Sequence, residues 1–111
     1  MKYLLLIHSR GDTEKLPEEE QRQILGEYIA LAEAPEVLSS HQLQPADTAT
    51  TVRIENGQTL TTDGPFIEMK EALGGYYLVE ADDLDKAIEL AARIPAARMG
   101  GAVEVRPVVE R

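Results

Sequence analysis

The chain has 111 residues, no cysteine, and 20 acidic against 11 basic side chains, for a formal charge of -9. That length suits one domain spanning residues 1–111, which on folding hides roughly two thirds of the surface exposed by the unfolded chain. Lack of thiols excludes disulfides and thiolate chemistry and fits a reducing, cytoplasmic setting; scattered Lys and Arg argue against direct nucleic-acid binding, and no apolar run is long enough for a signal core or a membrane span.

Lys2 to His8 is apolar on both parities and too short for a stable helix, which predicts a buried strand. Pro17 suits a first helical turn, and Ile24, Leu25, Tyr28, Leu31 and Ala32 recur at helical spacing, so a helix is predicted from about Pro17 to Ala34. Its acidic start, Glu18-Glu19-Glu20, complements the helix dipole. Pro35 ends it. Glu36 to Leu43 reads as a strand closed by Pro45, and Thr48 to Glu55 alternates Thr50, Val52 and Ile54 against Thr51, Arg53 and Glu55. Asn56-Gly57 is a strong hairpin turn, and its partner strand runs from about Gln58 to Thr62.

Tyr76 to Glu80 is a further strand, preceded by Gly74-Gly75. Asp82 reads as the cap of a second helix, with Asp85 three residues on, Leu84, Ala87, Ile88 and Ala91 on one face, and Pro95 at its end. Ala102 to Val109 is the last strand. Pro107 cannot donate a ladder hydrogen bond, so that strand belongs at an edge or carries a bulge.

The order strand, helix, strand, hairpin, strand, helix, strand is an α+β, ferredoxin-like split βαβ arrangement with an inserted β-hairpin. Two helices cover only one sheet face, yet Lys2 to Ile7 and Ala102 to Val109 offer apolar or small groups on both parities. The simplest cover for the second face is another copy of the chain, and two such sheets enclose a cavity fit for a small molecule.

Candidate site residues follow from chemistry. Asp63, held by the Gly64-Pro65 turn, is either a general acid or base or an Asx turn bonding its own backbone. His8 and His41 lie at or near predicted strand ends and are candidate proton carriers with Asp63; alternatively they are hydrogen-bonded structural or surface groups. Phe66 is either a core plug or a ligand platform. Arg98, in a loop with Met99-Gly100-Gly101, can hold an acidic ligand in a bidentate contact or pair with Asp63 or a partner-chain acid. Tyr76 and Tyr77 point to opposite faces, one to the core and one to the cavity. Lys70 reads as a solvated loop residue. No metal and no cofactor are expected, because no ligand spacing is recognisable.

The segments Thr62-Asp63-Gly64-Pro65-Phe66, Glu71-Ala72-Leu73-Gly74-Gly75-Tyr76-Tyr77-Leu78, Ile94-Pro95-Ala96-Ala97-Arg98 and Val103-Glu104-Val105-Arg106-Pro107 resemble the YCII-related family in its DGPF-domain branch. The resemblance covers nearly the whole chain. It implies a dimeric α+β barrel of ferredoxin-like subunits, in bacteria often encoded beside or fused to extracytoplasmic-function sigma factors. Some members of the wider group resemble enzymes with a His on the first helix and an Asp after the second. Pro17 to Ala34 contains no His, and Pro95 to Arg98 has Arg where the carboxylate belongs, so that pair is not carried over. Three readings remain: a ligand-binding or regulatory accessory module linked to sigma-factor signalling, a small-molecule enzyme doing acid-base chemistry in a cavity at a dimer interface, and a purely structural dimer.

Overall fold

The computed structural model describes residues 1–111, apart from the side chain of Asp12. Strand β1 (Lys2–Ser9) leads through a short 3-10 turn, Asp12–Lys15, into helix α1 (Glu18–Ala32) and then β2 (Val37–Gln42). A hairpin of β3 (Thr50–Glu55) and β4 (Gln58–Asp63) follows, then β5 (Ala72–Glu80), helix α2 (Leu84–Ala92), a 3-10 turn at Pro95–Arg98, and β6 (Ala102–Pro107). The main sheet has four antiparallel strands in the order β2-β5-β1-β6. That is the strand order of a ferredoxin-like α+β fold, with the hairpin forming a separate two-stranded sheet.

Alternation along the strands decides which side chains meet the helices. Tyr3, Leu5 and Ile7 of β1 and Tyr77 and Val79 of β5 pack with Leu31 of α1 and with Ala87, Leu90 and Ala91 of α2, while Ile94 and Ala96 seal one end. Val103 and Val105 of β6 lean against the same cluster. Leu5, Val79 and Ile94 are fully shielded from water. Burying a side chain of this kind stabilises the fold by about 1.5–3 kcal/mol. Tyr77 keeps its polar end satisfied inside the core, because its hydroxyl donates to the Tyr28 carbonyl at 2.7 Å.

The molecule measures 45 × 43 × 20 Å, and its radius of gyration is 15.8 Å, against about 13 Å for a compact chain of this size. The thin dimension matches one sheet and one helix layer of about 10 Å each. Among the described residues the buried core lies on one side of the sheet, and Leu4, Leu6 and Leu78 on the other side stay partly exposed.

The structure departs from the sequence reading in five places. Strand β5 begins at Ala72 and takes in both Gly74 and Gly75. Asp83 rather than Asp82 caps α2: its carboxylate accepts from the Lys86 backbone N–H at 2.9 Å, so the residue at the third helical position is Lys86 and no capping box forms. Phe66 does not plug the core; it is 69% exposed, with the Arg53 guanidinium 5.5 Å from its ring centre. The turn after β4 is held by the Gly64 N–H donating to Ala49 and the Thr51 hydroxyl donating to Gly64, not by Asp63 bonding its own backbone. On the far parity of β6 only Ala102 is small and apolar, while Glu104 and Arg106 bring charge to that side. Pro107 does lie on an edge strand, since β6 pairs with β1 alone, and Asn56-Gly57 forms the expected turn with φ of 50° and 75°, values that suit Asn and Gly at a two-residue hairpin.

Two outcomes test this account. Asp83→Ala lowers unfolding free energy by about 1 kcal/mol in urea titrations, whereas Asp82→Ala leaves it nearly unchanged. Burial, with a smaller contribution from Tyr28, pushes the Tyr77 phenol up to about 12. A neutral phenol favoured by folding stabilises fully below the unfolded value of about 10, and that stability is lost as pH rises through the folded value. Tyr77→Phe therefore costs about 1 kcal/mol at neutral pH and flattens the alkaline fall in stability seen by circular dichroism.

Candidate functional site

The bare sheet face is built from the parity opposite to the core. By register it carries Leu4, Leu6 and His8 of β1, Tyr76 and Leu78 of β5, Ser39 and His41 of β2, and Glu104 and Arg106 of β6. Leu4, Leu6 and Leu78 form an apolar strip across the centre, and each is partly exposed. Polar groups stand on either side of it.

On the β2 side, the Tyr76 hydroxyl lies 2.8 Å from His41 Nδ1, with the two rings tilted at 45° and their centres 5.6 Å apart. Leu6, Tyr76 and His41 stand level on adjacent strands, so this pair is set directly by strand register. Either the phenol donates to a bare Nδ1 and Nε2 carries the proton, or Nδ1–H donates to the phenol oxygen and Nε2 is free to accept. On the β6 side, His8 Nε2 is 3.3 Å from Glu104 Oε1, and Arg106 reaches the other oxygen of that carboxylate at 3.5 Å. The His8 and His41 backbone positions lie roughly 12 Å apart, two strand spacings across and one side-chain repeat along.

Local backbone features aim both histidines. A register shift falls between Ile7 and His8, where Gly74 is the extra residue on β5, and another lies between Val37 and Ser39 on β2, before His41. Bulges of this kind re-aim side chains and raise local twist. Two glycines also press against the histidine backbone: a Cβ on Gly75 would stand 2.8 Å from the His41 carbonyl oxygen, and one on Gly101 would overlap the His8 carbonyl oxygen. Only glycine allows these close approaches.

Of the residues singled out by sequence, His8, His41 and Tyr76 share this face. Tyr77 lies in the core. Asp63 ends β4, opposite Thr50, with its carboxylate exposed on the hairpin sheet, and Phe66 follows it in an exposed loop. Arg98 lies with the helices, paired with Glu27 of α1. Glu104 and Arg106 were missed, although their alternation with Val103 and Val105 was available as a signal. Among the described residues no group of three or more His, Asp or Glu side chains is placed to hold a metal ion, and no helix is long and apolar enough to cross a membrane.

A model of the YCII-related domain matches residues 1–111. An uncharacterized protein of Rhizobium meliloti (strain 1021) is 32% identical over 110 residues, which cover 95% of this chain and 89% of that relative.

The imidazole geometry has a spectroscopic consequence. Tyr76→Phe removes the only side-chain hydrogen bond of His41 among the described residues, so the ¹⁵N resonance of His41 Nδ1 shifts while that of His8 does not. Because Tyr76 is partly exposed, the same substitution costs no more than about 1 kcal/mol of stability.

Proposed function

The chain belongs to the YCII-related family, and we propose that two copies close their bare sheet faces around a small-molecule site where His41 and Tyr76 do acid-base chemistry. The observation that carries this reading is the 2.8 Å Tyr76–His41 contact beside an uncovered apolar strip. The Tyr76 hydroxyl engages one ring nitrogen of His41 and leaves the other to a ligand; in the tautomer whose Nδ1–H donates to the phenol oxygen, Nε2 is free to take a proton. His41 takes a proton at Nε2 and returns it to another atom of the same molecule, giving an isomer, or transfers it to a departing group in a lyase-like step. Such chemistry needs no oxidant. His8, oriented by Glu104, supplies a second proton carrier.

Charge supports a second copy as the cover. With a net charge of -9 on each chain, most surfaces repel their own kind. On the bare face, Lys2 and Arg106 are balanced by Glu80 and Glu104, which share the same parity. The apolar strip and formal neutrality make it the face on which two copies meet with least repulsion. This homodimer, its enclosed chamber and a cytoplasmic setting belong together in the proposal.

The hairpin favours a second reading. Val52 and Ile54 are 59% and 72% exposed, they share one face of a ribbon that pairs with no strand of the main sheet, and such a ribbon is marginally stable by itself. An exposed apolar ridge there suits docking on another protein. In this reading the chain is a ligand-responsive accessory module, with a sigma factor as the partner implied by its DGPF-branch likeness.

Sedimentation of the full chain at micromolar concentration gives a dimer, and Leu6→Glu gives a folded monomer. Mass spectrometry of the natively purified dimer detects a bound metabolite. With that metabolite as substrate, His41→Gln lowers turnover by about 10²–10⁴-fold without weakening binding to match. A bound ligand whose chemistry is unaffected by His41→Gln supports the accessory reading, and a native monomer rules out the shared chamber.

A further inference from the structure

On the helix side of the molecule, away from the bare sheet face, a groove of about 280 Å³ is lined by Glu27, Ala30 and Leu31 of α1 together with Arg93 and Arg98 from the segment that follows α2. Two arginines line one depression in a strongly acidic chain. Glu27 holds Arg98 by an ion pair. Arg93 has no ion pair and no side-chain hydrogen bond among the described residues. Its position after the last turn of α2 favours a cation in any sequence, but that preference does not require it to share a groove with Arg98.

We infer that this groove binds a small organic monocarboxylate. The guanidinium fork matches a carboxylate in a bidentate contact, and Glu27 holds Arg98 in position beside it. Charge sets the class: Arg93 and Arg98 against Glu27 leave one net positive charge, which suits a singly charged ligand, while Glu27 repels a phosphate dianion. The exposed Ala30 gives the groove a small apolar surface for a short hydrocarbon tail. The volume lies at the lower edge of the range for small-molecule pockets, which suits a small ligand. Arg98 and Glu27 side chains are 52% and 40% exposed, so binding is weak and weakens further with salt. Because the groove lies in the helix layer, it stays open when two copies meet through their sheets.

The test is a ¹⁵N NMR titration of the full chain at low salt with butyrate, with inorganic phosphate and chloride in parallel. Butyrate shifts the amide signals of Ala30, Arg93 and Arg98 to saturation. Arg93→Gln weakens this at least about tenfold, and Glu27→Gln tightens butyrate binding and admits phosphate, a gain that a purely structural ion pair does not produce. Thermal unfolding of both variants checks that the fold is kept; a variant that unfolds is replaced by Arg93→Lys, which retains charge but loses the fork and also weakens binding. Butyrate shifts no larger than those of chloride, or butyrate binding unchanged in Arg93→Gln, overturn the site. Phosphate binding as tightly as butyrate to the unaltered chain overturns the monocarboxylate class.

Discussion

A four-stranded sheet with both of its helices on one side has one dry face and one wet face, and strand alternation sorts every side chain between them. This constraint organises the molecule. Tyr3, Leu5, Ile7, Tyr77 and Val79 go to the helices and form the core; Leu4, Leu6, His8, Tyr76 and Leu78, their neighbours in sequence, go to the open side. The core needs only one parity of each strand, which leaves the other free to carry chemistry without a cost to packing. The histidines, the tyrosine and the Glu104–Arg106 pair all occupy that second parity.

The same division shapes the electrostatics. Both helix starts are acidic, with Glu18, Glu19 and Glu20 at the start of α1 and Asp83 and Asp85 around the start of α2, where they complement helix dipoles and face water. The sheet's bare side instead mixes apolar groups with pairs of opposite charge. The charge imbalance of the chain therefore falls mostly outside the bare face, where opposite charges are matched.

Much of the fold was legible in the sequence because each element carries its own period. The β-branched and leucine-rich Lys2–Ser9 run, the Pro17 entry to α1, the Asn56-Gly57 turn and the Pro107 edge strand are local signals with local causes. The start of β5 was placed late, at Tyr76, because two glycines weaken the local signal of a strand; both belong to it, and Gly75 lies close against the His41 backbone. Choosing between Asp82 and Asp83 as a cap turns on which one has extended backbone, φ -155° and ψ 176° at Asp83, and adjacent aspartates do not encode that. The site was legible in part: His8, His41 and Tyr76 were singled out, but their meeting on one face depends on strand order and two register shifts that no local pattern specifies. Phe66 and Asp63, prominent as a motif, belong to the hairpin and its following loop, so sequence prominence there reflected turn geometry more than membership of the bare-face cluster.

Register is where fold and site become one problem. Tyr76 and Tyr77 are chemically identical neighbours, yet one hydroxyl meets His41 on the open face and the other donates to a helix carbonyl inside the core. A slip of one residue in β5 would exchange them, burying the His41 partner and exposing the core tyrosine. Burial of Tyr77 and Val79 sets that register, and close backbone contacts around the histidines add to it. Gly75 against the His41 carbonyl and Gly101 against the His8 carbonyl accept no other residue without moving backbone, so each fixes one strand relative to its neighbour at the level of an imidazole. The two places where the backbone is packed too tightly for a side chain are thus the two places where the bare face presents its histidines, and the close contacts there tie the core and the bare-face cluster to the same backbone.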